Sequence, residues 1–145
     1  MKKIGFVTVL LVALATLIVI SCKKDKKSGD SPCSGFFTNN HPSTNFTASS
    51  VGSGSTFSAY FTEGQTYKVV IGSNGNVNIS TKTSAITFSG GTDITSCQDE
   101  GHEYNVFYEN KTSGLKLILQ KEGTHYTLAL QKINFVFGET ATLSL

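Results

Sequence analysis

The sequence predicts an all-β body: an antiparallel meander of about eight to ten short strands, closed as a small barrel or as a two-layer sandwich. Three observations predict it. From Phe57 onward apolar residues recur at every second position, glycine-bearing pairs punctuate the runs, and no window after the N-terminal segment carries apolar residues at helical spacing over three turns.

The elements follow in order. Ser34 to Thr56 is rich in Ser, Thr, Asn and Gly and is expected to be largely irregular, anchored by Phe36, Phe37 and Phe46. Phe57/Ala59/Phe61, alternating with Ser58 and Tyr60, opens the strand pattern. Tyr67/Val69/Ile71, Val77/Ile79, Ile86/Phe88, Tyr104/Val106/Tyr108, Leu115/Leu117/Leu119, Tyr126/Leu128/Leu130 and Ile133/Phe135/Phe137 continue it, and Leu143 with Leu145 adds a final strand. Each set places its apolar side chains on one face, because successive strand residues point to opposite sides. Asn74-Gly75 sits between two runs and is a strong hairpin signal, since both residues tolerate positive φ. Gly90-Gly91, Lys111 to Gly114, Glu122-Gly123 and Gly138 divide the others. Glu63-Gly64-Gln65-Thr66-Tyr67 and Glu122-Gly123-Thr124-His125-Tyr126 share an E-G-x-x-Y pattern, read either as an internal duplication or as two turns converging on one chemistry.

Charge separates the body from its leader. The 145 residues carry 12 lysines, no arginine and 10 acids. Without Lys2, Lys3, Lys23, Lys24, Lys26, Lys27, Asp25 and Asp30, 6 lysines face 8 acids. A body of that sign offers no basic stripe for nucleic acid.

Met1-Lys2-Lys3 precedes an apolar run, Ile4 to Ile20, that at ~1.5 Å per residue falls short of a bilayer core of ~30 Å. It reads as a signal helix, closing on Val19-Ile20-Ser21-Cys22. This ending resembles the lipobox of bacterial lipoproteins. The resemblance implies cleavage between Ser21 and Cys22, with a diacylglyceryl thioether on the Cys22 sulfur and an acyl chain such as palmitate on its amine. Two or more chains anchor a protein stably where one does not. The following Lys-Lys-Asp-Lys-Lys tract is similar to that of lipoproteins from Bacteroidota-type bacteria. It implies a cell-envelope, outer-membrane address, with the periplasmic or surface face left open. The organisation expected is a signal peptide at 1–21, a lipidated tether at 22–32 that lacks the apolar side chains to order itself, and one all-β domain at 33–145. The body's rhythm and length are also similar to small lipocalin-like and β-sandwich lipoproteins.

With Cys22 acylated, Cys33 and Cys97 remain in a compartment where disulfides persist. A bond between them is the expectation; two free thiols, or one nucleophile beside a histidine, are the alternatives. No CxxC occurs, and two cysteines alone do not make a zinc site.

Few residues form a reactive constellation. His41, His102 and His125 are the only histidines, and no G-x-S-x-G elbow accompanies them. Gly52-Ser53-Gly54-Ser55 lacks the lysine and helix of a phosphate loop. Asp99, Glu100, His102 and Glu103, in an expected loop after Cys97, are candidate metal ligands by type, although their spacing matches no established loop. The more informative set is Tyr60, Val70, Phe107, Ile118 and Val136, which stand out of phase with the main apolar rows. They form either an exposed binding patch or a surface covered by the Ser34–Thr56 segment. The functional expectation is therefore an envelope-anchored, non-catalytic domain that uses no cofactor. Its partners would be the membrane, through its lipid, and a small molecule, glycan or protein. A lipocalin-like carrier of an apolar ligand and a small envelope hydrolase are the alternatives.

Overall fold

A computed structural model describes residues 33–134 and 136–145. The signal, lipobox and tether expectations, including Ser21 and Cys22, lie outside the described residues, as does Phe135.

The body is all-β. Nine strands form one antiparallel sheet: β1 (Ser43–Val51), β2 (Thr66–Ile71), β3 (Val77–Ile79), β4 (Ile86–Phe88), β5 (Ile94–Asp99), β6 (Glu103–Asn110), β7 (Leu115–Glu122), β8 (His125–Lys132) and β9 (Thr140–Ser144). Their spatial order, β4-β3-β2-β1-β9-β8-β7-β6-β5, is two meanders joined where β9 pairs with β1. The sheet curls into a half-barrel. At its seam β4 comes round to β6 without a backbone ladder: Phe88 packs against Tyr108 at 5.7 Å between ring centres, and Asn110 Nδ2 donates to the Thr87 carbonyl at 3.4 Å.

Alternation builds the interior. Val69, Ile71, Val77, Ile79, Val106, Leu117, Leu119, Leu128, Leu130 and Leu143 all point inward and are buried. Phe46, Val69, Ile79, Val106, Leu119, Leu128 and Leu143 have 0% exposure, so none of them borders a void that a water-sized sphere could enter. Burial of each large side chain stabilises the fold by roughly 1.5–3 kcal/mol.

Four expectations need correction. Ser34–Thr56 is not irregular: a short helix α1 (Ser34–Phe37) precedes β1, which lies at the middle of the sheet and is paired on both edges. Phe57/Ala59/Phe61 is not a strand but a 3-10 turn, Thr56–Ala59, in which Phe61 N–H donates to the Phe57 carbonyl at 2.9 Å and both rings turn inward. The segment at Cys97 is not a loop, because Cys97, Gln98 and Asp99 belong to β5 and only Glu100 to His102 turn. Finally, the described residues of the Ile133/Phe135/Phe137 run make no strand: Ile133 and Asn134 bend away, and Val136 and Phe137 stand exposed before β9. The final strand expected at Leu143 is β9, with Leu143 buried and Leu145 just beyond it at 44% exposure.

Cys33 and Cys97 are disulfide-bonded, with 6.0 Å between their Cα atoms. The bond fastens α1 to β5, and Phe36 then stacks on Tyr104 of β6 at 4.3 Å.

Candidate functional site

The incomplete closure leaves a groove of about 830 Å³ along the seam. One wall is the 3-10 turn with the β3–β4 connection. Tyr60, half-buried, is fixed there from both sides: its N–H donates to the Phe57 carbonyl at 3.0 Å, and its carbonyl accepts from Lys82 N–H at 3.0 Å. Lys82 Nζ clamps the same turn through the Ser58 carbonyl (2.7 Å) and Thr62 Oγ1 (3.1 Å). The opposite wall is the β6–β7 hairpin, Asn110 to Leu115, together with Lys132, Ile133 and Asn134 at the end of β8.

Asn110 is the hub of that second wall. Its Oδ1 accepts from Ser113 N–H at 2.9 Å, setting the hairpin, while its Nδ2 reaches Asp93 Oδ2 at 3.0 Å and the Thr87 carbonyl. A side chain that both shapes a turn and spans the seam holds the walls at a fixed separation. Around Thr87, Asp93, Glu109 and Asn110 a second cleft of about 570 Å³ continues the groove.

The groove's carboxylates are already engaged. Asp93 accepts from Ser89 N–H (2.8 Å), Asn110 Nδ2 and Thr92 Oγ1 (3.1 Å). Glu109 pairs with Lys116 at 3.4 Å. Lys132 pairs with Glu139 at 3.7 Å, and Glu139 also accepts from Thr56 N–H at 2.9 Å, which holds its carboxyl below the usual carboxylate range. Lys111 is exposed and has no ion-pair partner among the described residues. What remains to face a ligand is one phenol, amides, hydroxyls and a cation over the apolar Leu115 and Ile133.

Of the five out-of-phase residues, only Tyr60 lines this groove. Phe107 and Ile118 are direct cross-strand partners on the outer face of β6 and β7, both half-buried and continued by Ala129 and Thr142. Val70 lies on β2, on the other wing, opposite Asn78 and at 38% exposure, and Val136 lies in the loop before β9 at 57%. The set is thus four separate places rather than one patch, and the Ser34–Thr56 segment does not cover it because β1 is part of the sheet.

Asp99, Glu100, His102 and Glu103 sit at the β5–β6 turn. Asp99 Oδ1 accepts from Gly101 N–H at 2.9 Å, and Glu103 Oε1 accepts from Asn105 Nδ2 at 2.7 Å. The bonds from Asn105 and then Gln120 draw the Glu103 carboxyl below its ordinary range. Among the described residues no three His, Cys, Asp or Glu side chains gather as a metal-ligand group. His41, His102 and His125 are all exposed.

Sequence reasoning missed Asn110, Lys111, Lys132 and Asn134. The signal available was the N-x-x-S-G spacing of Asn110 to Gly114, which marks a side-chain-capped turn but not what that turn faces. Comparisons with protein-family models, with curated proteins and with solved structures found no match.

Proposed function

We propose that the chain is an envelope lipoprotein, acylated at Cys22, whose β-domain binds a hydroxyl-rich ligand of glycan class in the seam groove and catalyses nothing there. The observation that carries the reading is the groove's lining. An aromatic wall on a turn of fixed backbone, Tyr60, faces the Asn134 amide and the Lys111 ammonium across a space large enough for a small oligosaccharide. An aromatic face takes the apolar side of a sugar ring, while amides and ammonium donors meet its hydroxyls. The saturated hydrogen bonding of Asp93 and the pairing of Glu109 favour binding over hydrolysis, which needs a carboxyl free to move a proton. The interior side chains without accessible surface favour an outer groove over a lipocalin-like internal cavity.

Calorimetric titration of the full-length protein with envelope and host polysaccharide fragments tests the reading. Binding that weakens at least tenfold in both Tyr60→Ala and Asn134→Ala supports it. Binding unchanged in both, or no binding to any fragment, counts against it, and release of reducing sugar during the titration would restore the hydrolase alternative.

A further inference from the structure

We propose that the loop between β8 and β9 is a second membrane contact, inserting Phe137 and Val136 into the interface of a phospholipid bilayer. The proposal rests on the lipid anchor at Cys22. Phe137 is 94% exposed and Val136 57%, adjacent residues and two of the four large apolar side chains exposed among the described residues. They stand at the tip of a turn made by Gly138 at φ 84° and by Glu139 N–H donating to the Val136 carbonyl at 3.0 Å. The loop's base is held firmly: Glu139 binds Thr56 N–H and Lys132, and Ile133 N–H donates to the Gly114 carbonyl at 2.8 Å. A held base presenting two apolar side chains has a defined direction, and the exposed Lys111 at the same end supplies a cation for anionic headgroups.

The chain outside the described residues selects the bilayer as occupant. Cys22 is 11 residues before Cys33, so an extended tether reaches at most ~36–40 Å. Cys33 is pinned to Cys97, which the register Cys97↔Val106↔Leu119↔Leu128 places level with Leu128. From Leu128 to the Lys132 end of β8 is ~14 Å at ~3.4 Å per residue. The tether is long enough for the Cys22 lipid and the Phe137 tip to share one membrane plane.

The test exploits a chain without tryptophan. Phe137→Trp in the full-length protein, reconstituted in phosphatidylethanolamine–phosphatidylglycerol vesicles, gives a single emitter at the loop tip. Glu100→Trp, in the β5–β6 turn, is the reference. Blue-shifted emission quenched by brominated acyl chains in Phe137→Trp alone is the expected result, with a roughly tenfold faster transfer between vesicles for the Val136→Ser/Phe137→Ser double variant. Water-like, unquenched emission from Phe137→Trp overturns the proposal, as does protection by a protein partner instead of lipid. Intact mass of the same samples decides the anchor separately: an acyl increment on Cys22 with no quenching refutes the loop alone, and quenching without the increment refutes the anchor alone.

Discussion

The Tyr108 hydroxyl donates to the Gly75 carbonyl at 2.9 Å inside the protein, tying the tip of the β2–β3 hairpin to β6 across the seam. No backbone ladder joins these two parts of the curled sheet, so the phenol bridges parts the strands leave unpaired. Tyr108→Phe keeps the ring against Phe88 but strands a buried carbonyl. We expect a loss of about 1–2 kcal/mol in urea unfolding. Burial pushes the Tyr108 phenol far above the ordinary tyrosine range, so the folded state favours the neutral form. Its contribution is fully present below the unfolded value of about 10 and is lost as pH rises through the folded one. Wild-type stability should therefore fall above ~pH 10, and the Tyr108→Phe variant should fall less steeply, with the residual slope from Tyr104 and Tyr126, which desolvation also raises.

Gly75 is required for two reasons that substitution can separate. Its φ is 83°, and a Cβ there would meet the Phe37 ring at 2.9 Å and Ile94 Cδ1 at 3.2 Å. Gly64 has a similar φ of 79° but open space around it. Gly64→Ala should cost the backbone penalty alone, about 1 kcal/mol, and Gly75→Ala about 2–3 kcal/mol in thermal or urea unfolding. Equal losses would mean that the hairpin tip does not press on the core.

These two residues also mark what the sequence made legible. Asn74-Gly75 announces a turn through its own chemistry, and β2, β3, β7 and β8 announce themselves because their apolar residues alternate without interruption. β1 hides because only Phe46 and Ala48 are buried, amid Ser and Thr whose backbone is paired on both sides. β5 hides because its register shifts between Ile94 and Ser96, which breaks the alternation. Phe57 and Phe61 satisfy a spacing of two and a spacing of four equally, and the 3-10 turn prevails because it buries both rings beside the Gly52–Ser55 turn. The groove was least legible of all. Tyr60 stood out only as an apolar residue out of phase, whereas Asn110 resembles any turn asparagine until closure sets it against Asp93 and Thr87.

Ser55 offers a gain in stability. It is 6% exposed, and its Oγ finds no hydrogen-bond partner among the described residues. A buried hydroxyl without a partner is a cost that the methyl of alanine does not incur. Ser55→Ala should raise the urea midpoint by the equivalent of about 1 kcal/mol, while its neighbour Ser58→Ala, which removes a bond to the Ser55 carbonyl (2.7 Å), should lower it. A Ser55→Ala variant less stable than wild type would point to a bound water or ligand at that hydroxyl.

Acid should loosen the fold at two places, the groove's end and the β5–β6 turn. The Glu139 carboxyl is held low first by Thr56 N–H and further by Lys132, and the Glu103 carboxyl by Asn105 and Gln120. Both values are depressed, so the stabilisation is present above the unfolded carboxylate value and disappears as pH falls through the folded one. Urea midpoints measured from ~pH 6 down to ~pH 2 should decline, and Glu139→Gln should flatten that limb. Both groups are half-buried and still reached by solvent, so added salt should shrink part of the effect. An acid limb indifferent to Glu139→Gln would show that the tie between β9 and the 3-10 turn is not sensed by folding.

The Cys33–Cys97 bond closes a separation of 64 residues, which in the chain-entropy account stabilises the fold by about 4 kcal/mol. Its local effect is more specific. It fastens α1, whose Phe36 and Phe37 meet edge-on at 5.0 Å, and Phe37 in turn supports Gly75 at the tip of the β2–β3 hairpin. Losing the bond should therefore act on the seam as well as on the N-terminal segment. Cys33→Ser/Cys97→Ser is expected to lower stability by about 2–5 kcal/mol. Hydrogen exchange should quicken first at α1, then at the amides of Gly75 and Asn76, while β7 and β8 stay protected until global unfolding. Uniform acceleration across all nine strands would instead mean that the bond acts only by restricting the unfolded chain, with the hairpin tip closed by Tyr108 alone.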